Sequence, residues 1–215
     1  MKAVQLVKGI AAPLMRDHIN TDVIIPATHM RRLTRTGYGD VLFEPWRDTP
    51  GFVLDDPRYA GASILLAGES FGSGSSREHA PWALRDGGFG AIIAISFADI
   101  FALNCTKTGM VTAALPRHRV EQLADLVRAD PTTIVEVDVQ ARVVRADAAD
   151  FVEPFALDAY TRSRLLSGLD HIDATLRHLD AITAFDGRRR RAEPLTPPGL
   201  ARTPGQHPEL RRLLR

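Results

Sequence analysis

This 215-residue chain has a single cysteine, Cys105. No internal disulfide can form, and an all-cysteine metal or iron–sulfur site is excluded within the chain. No apolar run approaches the length needed to cross a bilayer. The start, MKAVQLVKGI, lacks the charged, apolar and small-residue segments of a secretory leader. No H-E-x-x-H and no paired Cys/His spacing occurs, so no metal ligands are expected here. No internal repeat is visible. A soluble protein of a reducing compartment, the cytoplasm, is expected.

The net charge of +1 conceals an asymmetry. From Gly187 onward there are eight arginines against Glu193 and Glu209, a net +6, which leaves −5 for the rest. This tail also holds Pro194, Pro197, Pro198, Pro204 and Pro208, with few apolar residues before Leu210. It buries too little surface to offset its ordering entropy, so residues 187–215 read as a largely disordered appendage to a domain at 1–186. The run 188–191 has the charge to touch nucleic acid. It has no interleaved aromatics, and the acidic body argues against that reading.

Within the body, short apolar runs alternate with helical patterns. Residues 63–67 (SILLA), 91–95 (AIIAI) and 111–115 read as buried strands. Residues 97–104 read as a short helix. Residues 119–129 carry Val120, Leu123, Leu126 and Val127 at the helical period and end before Pro131. Residues 133–139 and 141–145 read as a strand pair. Residues 158–166 and 172–185 read as helices, the second with Ile172, Leu176, Leu179 and Ile182 in one stripe. The alternation predicts an α/β fold with parallel strands and crossover helices.

The most informative stretch is 68–84, GESFGSGSSREHAPWAL. Gly68, Gly72 and Gly74 lead into Ser75, Ser76 and Arg77 between a strand and a helix. Glycine permits left-handed backbone and close approach of a ligand. Convergent N–H groups and a helix start favour an anion. The plainer reading is a capping box, Ser75 with Glu78 three residues on. That reading needs one special residue, not this density of glycine, and Pro81 sits awkwardly in the helix to follow. The loop lacks the Gly-Lys-Ser/Thr of a nucleoside-triphosphate loop, and Arg77 replaces the last glycine of a dinucleotide fingerprint. A ligand with carboxylates or phosphates is expected. Two further stretches carry less. Residues 19–27, INTDVIIPA, place Asp22 in a turn before a strand-like VII. Residues 31–39, RRLTRTGYG, read as a basic, mobile loop. His79 reads as a hydrogen-bonded structural group.

These stretches, with SFADIF at 96–101 and GLDHIDATLRHLDAI at 168–182, resemble the small subunits of 3-isopropylmalate dehydratase in the aconitase superfamily. The resemblance covers nearly all of residues 2–186. It implies the swivelling β/β/α fold of the aconitase C-terminal domain. It implies a hydro-lyase of leucine biosynthesis acting on a small dicarboxylate. It also implies a large-subunit partner, in a heterodimer or heterotetramer, that carries the [4Fe–4S] cluster. By the same resemblance Ser75 is the catalytic serine, acting as an alkoxide base, and Asp22 an active-site aspartate. The resemblance also implies that Ser76, Arg77 and Arg35 hold substrate carboxylate and that Leu33 packs the substrate's apolar branch. Gly72 and Gly74 line the anion loop. Departures are Ser70 for a usual asparagine, Ser73 for a usual cysteine, and residues 108–112 for an Asn-Gly-Leu-Leu-Pro-like stretch. They leave open a relative acting on another 2-alkylmalate, such as 2-methylmalate or citraconate. An anion- or nucleic-acid-binding module is the other alternative.

Overall fold

The computed structural model describes residues 1–32 and 34–192; for His171 and residues 190–192 it describes the backbone alone. The chain divides into two units, Met1–Asp170 and a second that begins at His171.

The first unit contains two four-stranded sheets. In chain order its strands and α-helices are β1 (Leu6–Gly9), β2 (Ala11–Leu14), the single helical turn α1 (Thr21–Ile24), β3 (Ile64–Ala67), α2 (His79–Asp86), β4 (Ala91–Ala94), α3 (Asp99–Thr108), β5 (Val111–Ala114), α4 (Arg117–Ala129), β6 (Val135–Asp138), β7 (Val143–Ala146), β8 (Phe151–Pro154) and α5 (Ala159–Ser167), with short 3-10 turns between α1 and β3. One sheet is parallel, in the order β2-β3-β4-β5; the other is antiparallel, in the order β1-β6-β7-β8.

Residue patterns account for the difference between the sheets. AAPL, ILLA and AIIA in β2, β3 and β4 are buried at every position. A strand apolar on both faces belongs in a parallel sheet covered by crossover helices. In β6 and β7 burial alternates residue by residue, as one solvated face requires. Leu14, Ala67, Ala94 and Ala114 are in register, so the four parallel strands end level. The loops that leave this edge are therefore brought side by side, and it is the edge where open parallel sheets bind ligands.

Helix α4 buries Val120, Leu123, Ala124 and Val127 and packs across β2 and β3. Leu126, expected on that stripe, is only partly covered, and Ala124 takes its place. Helix α3 begins two residues later than its pattern predicts, because residues 96–98 are extended and Phe97 pairs with Phe71. It then runs on to Thr108, where Gly109 at φ +81° supplies the left-handed stop.

In the second unit the expected helix over 172–185 is two helices, α6 (His171–Leu176) and α7 (Leu179–Ala192). The break is a tightened turn in which the His178 N–H donates to Thr175 O. Ile172, Leu176, Leu179 and Ile182 are all exposed, so the stripe is present without being a core. The expected tail boundary at Gly187 falls inside α7, which continues to Ala192; the remainder of the tail lies outside the described residues. Among the described residues, no helix is long and apolar enough to cross a membrane.

Candidate functional site

After Ala67 the chain continues as a middle strand between two neighbours. On the β2 side, Gly68 N–H donates to Arg16 O (3.1 Å), His18 N–H to Glu69 O (2.7 Å) and Gly72 N–H to Ile19 O (2.8 Å). On the β4 side, Ile95 N–H donates to Gly68 O (3.2 Å), Phe71 N–H to Ser96 O (3.0 Å) and Ala98 N–H to Phe71 O (3.0 Å). Two further bonds tie the loop to α1: Thr21 N–H to Ser73 O at 2.9 Å and Thr21 Oγ1–H to Ser75 O at 3.0 Å. Ser70, Gly72 and Gly74, every second residue, have φ of +55°, +77° and +91°. Gly72 is obligatory for packing as well. A Cβ there would stand 2.1 Å from Cγ of Phe101, whose ring also meets Phe71 at 5.3 Å between centroids.

Beyond this stitched segment the loop is open. Backbone N–H groups of residues 74–79 find no acceptor among the described residues. Ser75 and Ser76 are exposed. The capping box does not form. Helix α2 starts at His79, its cap position is Glu78, and no side chain caps it. Starting there places Pro81 third in the helix, within the first turn, where an N–H has no intrahelical acceptor. Proline is therefore accommodated rather than awkward.

A cleft of about 240 Å³ opens at this point. It is lined by Thr21, Gly72, Gly74, Ser75, Ser76 and Arg77 and by residues 98–101, of which Ala98, Ile100 and Phe101 are apolar and Asp99 is acidic. Arg77 is nearly buried and ion-paired with Asp22 through Nη1, which also donates to Ile25 O at 3.5 Å. Asp22 reaches the cleft only through that guanidinium. It is half-exposed and lies on α1, where Asn20 caps the turn by accepting from Val23 N–H at 2.9 Å. The strand expected over VII is thus a helical turn followed by an extended Ile25, because the cap and the two Thr21 bonds hold it.

Arg35 does not reach this cleft. It is exposed, with its guanidinium 5.9 Å from the Trp82 ring centroid, and its carbonyl accepts from Arg85 Nη2 at 3.4 Å. The loop around it is anchored rather than loose. Buried Tyr38 donates its N–H to Asp86 Oδ2 at 3.1 Å and its hydroxyl to Thr34 O at 2.9 Å. Leu33 lies outside the described residues. His79 packs edge-on to Tyr38 at 5.5 Å and beside Trp82 at 4.7 Å, an aromatic packing role. Residues 108–112 lie at the start of β5, the opposite end of the parallel sheet. A Cβ on Gly109 would face Lys2, Met1 and Val4. Those departures from the family pattern therefore do not touch the cleft; Ser70 and Ser73 lie on its approach. Sequence reasoning missed Thr21 and the 98–101 wall. SFADIF was visible as a motif, but nothing local says that β4 lies beside β3.

Comparison with known proteins supplies the family. The aconitase C-terminal domain family matches residues 1–118. The 3-isopropylmalate dehydratase small subunit of Thermobifida fusca (strain YX) is 52% identical over 188 residues, 87% of this chain and 95% of that protein. That of Acidothermus cellulolyticus is 53% identical over 188 residues, covering 87% and 94%. The chain belongs to the family of 3-isopropylmalate dehydratase small subunits. A crystal structure of 3-isopropylmalate dehydratase from Methanocaldococcus jannaschii has the same fold, with a TM-score of 0.60 at 23% identity over 84% of this chain and 99% of that one. The α/β architecture found here is thus that of the aconitase C-terminal domain.

Among the described residues, the side chains do not fit an iron–sulfur cluster. Cys105 is fully buried and burial pushes its thiol well up. Among the described residues, no three His, Cys, Asp or Glu side chains converge on one point. What the cleft offers is three hydroxyls, backbone N–H groups, the Arg77 guanidinium and, on the 98–101 side, the Asp99 carboxylate.

Proposed function

We propose that this chain is the small subunit of a two-chain hydro-lyase that interconverts 2-isopropylmalate and 3-isopropylmalate by dehydration and rehydration, the isomerisation step of leucine biosynthesis. The observation that carries the reading is the exposed Ser75, set among unspent backbone N–H groups and sharing a cleft with Arg77 and residues 98–101. A large subunit, in the cytoplasm, completes the enzyme as a heterodimer or heterotetramer.

Each group of this chain has a physical task. An ordinary serine hydroxyl is far too weak an acid to be a base at neutral pH. The dipoles of the 74–79 N–H groups and the α2 terminus favour its ionised form, so that Ser75 Oγ takes the proton from substrate carbon and returns it. Ser76 Oγ–H and the Arg77 fork hold a substrate carboxylate, with two parallel N–H bonds from the guanidinium. Ala98, Ile100 and Phe101 face the alkyl branch. Arg35 serves as a second carboxylate contact only if its loop leaves Trp82. An iron–sulfur cluster, if held by the large subunit, would supply the Lewis-acid chemistry that this chain's residues lack.

The test is anaerobic reconstitution with an iron-loaded large subunit, followed by competition between 2-isopropylmalate and 2-methylmalate. One or two extra carbons in an apolar pocket are worth about 10- to 200-fold each. Isopropyl exceeds methyl by two carbons, so the reading predicts kcat/KM at least about a hundredfold higher for the isopropyl substrate. The reverse order would assign the chain to a different 2-alkylmalate, and salt-sensitive nucleic-acid binding without turnover would favour a binding module.

A further inference from the structure

We propose that Asp22 is a positioning residue that clamps one edge of the Arg77 guanidinium so that the other edge faces substrate. It does not exchange a proton with the substrate. The inference rests on the assignment of Arg77 to a substrate carboxylate and deepens it.

A guanidinium has five N–H donors in one plane, arranged as forks. In Arg77, Nη1 is engaged twice, by the Asp22 carboxylate and by Ile25 O at 3.5 Å. Nε and Nη2 have no acceptor among the described residues. These two atoms form the side-on fork, whose parallel N–H bonds match a carboxylate. Arg77 lines the cleft while Asp22 does not. The carboxylate of Asp22 and that of a substrate therefore occupy different edges of one plane and bind together rather than in turn.

The clamp itself is braced. Asp22 is on α1, whose start is capped by Asn20 and tied to the serine loop by both Thr21 bonds, to Ser73 O and Ser75 O. Loop, helical turn and guanidinium thus form one closed circuit: Ser75 to Thr21, Asp22 to Arg77, and Arg77 back along the chain to Ser75. A residue touching substrate would be expected in the cleft wall. Asp22 instead has more than half its side chain in solvent, with its partner almost covered (55% against 13%).

The test uses the reconstituted enzyme and three substitutions. Asp22→Ala removes the clamp and is expected to raise KM about tenfold with kcat changed less than about threefold. Asp22→Asn keeps an acceptor for Nη1 without an ionisable group, and is expected to restore KM to within about threefold of the parent. In an Arg77→Ala background, Asp22→Ala is expected to change KM by less than about twofold further, because its effect passes through Arg77. An independent reading comes from the isolated full chain with ¹⁵N-arginine. Slow rotation about the Arg77 guanidinium should resolve its two Nη signals in the parent and in Asp22→Asn, and merge them in Asp22→Ala. A thousandfold loss of kcat in Asp22→Asn, full additivity with Arg77→Ala, or unchanged Arg77 signals in Asp22→Ala would each overturn the proposal. Failure of the parent enzyme to turn over isopropylmalate would instead overturn the functional reading and leave the spectroscopic result standing.

Discussion

Replacing Gly72 by alanine separates the two demands that the serine loop makes on its glycines. The first is backbone: at φ +77° an L-residue loses about 1–2 kcal/mol. The second is contact. The new Cβ would lie 2.1 Å from Cγ and 2.5 Å from both Cδ atoms of Phe101. Phe101 is 3% exposed and its ring is held against Phe71, so it has no free direction in which to yield. Forcing an extra methyl into such packing costs about 1–3 kcal/mol. The total is about 2–5 kcal/mol. Gly74 provides the control. Its φ is +91°, but the nearest atom to an added Cβ is 3.5 Å away, an ordinary contact. Gly74→Ala should therefore cost only about 1–2 kcal/mol. The assay is urea unfolding followed by tryptophan fluorescence. With a slope of about 2 kcal/mol per molar, the midpoint should fall by about 1–2.5 M for Gly72→Ala and by about 0.5–1 M for Gly74→Ala. Phe101→Ala in the Gly72→Ala background removes the clash, so the double-mutant cycle should return a coupling of about 1–3 kcal/mol. Equal midpoints for the two glycine variants, or no coupling to Phe101, would refute the packing argument.

Three other perturbations follow from the same geometry. Ser70 occupies the left-handed region at φ +55°, which asparagine tolerates better than serine. Ser70→Asn should raise stability by up to about 1 kcal/mol, read as an increased urea midpoint. Asp158 caps α5, and hydrogen bonds from the Thr161 side chain and backbone hold its carboxyl below the usual range. Its folded-state value is depressed, so its contribution is complete above the unfolded value near about 3.9 and is lost as pH falls through the lower native value. Asp158→Ala should cost about 1 kcal/mol at neutral pH and progressively less as pH falls below that range; a cost independent of pH would contradict it. Cys105 is fully buried with its thiol pushed well up, so a thiol reagent at mildly alkaline pH should label the native chain only as fast as it opens. Rapid stoichiometric labelling of the folded chain would show the burial to be wrong.

Much of the architecture was legible because it is written locally. ILLA and AIIA are apolar at every position, too short for helices, and bounded by turn residues, so buried parallel strands were the economical reading. The period of Val120, Leu123 and Val127 marked α4 in the same way. The glycine–serine loop announced itself by composition. What was not legible depends on which strands become neighbours. That β4 lies beside β3 brings Phe101 onto Gly72 and Ile100 into one cleft with Ser75, and no window of sequence holds both partners. The same applies to Asp22 and Arg77, 55 positions apart. VII was misread because β-branched residues favour strands, while a side-chain cap and two bonds from Thr21 impose a helical turn. Arg35 points to the substrate by its motif alone, and no local pattern reveals that its guanidinium lies over Trp82 while Tyr38 is anchored against α2.

Single-turnover kinetics of Ser75→Ala in the reconstituted two-chain enzyme test most directly whether the Ser75 hydroxyl moves the substrate proton. Removing a group that moves the substrate proton should slow the chemical step by at least about 10²–10⁴-fold, with assembly and substrate affinity close to those of the parent. A Ser75→Ala enzyme that isomerises at a rate within about threefold of the parent would contradict the claim.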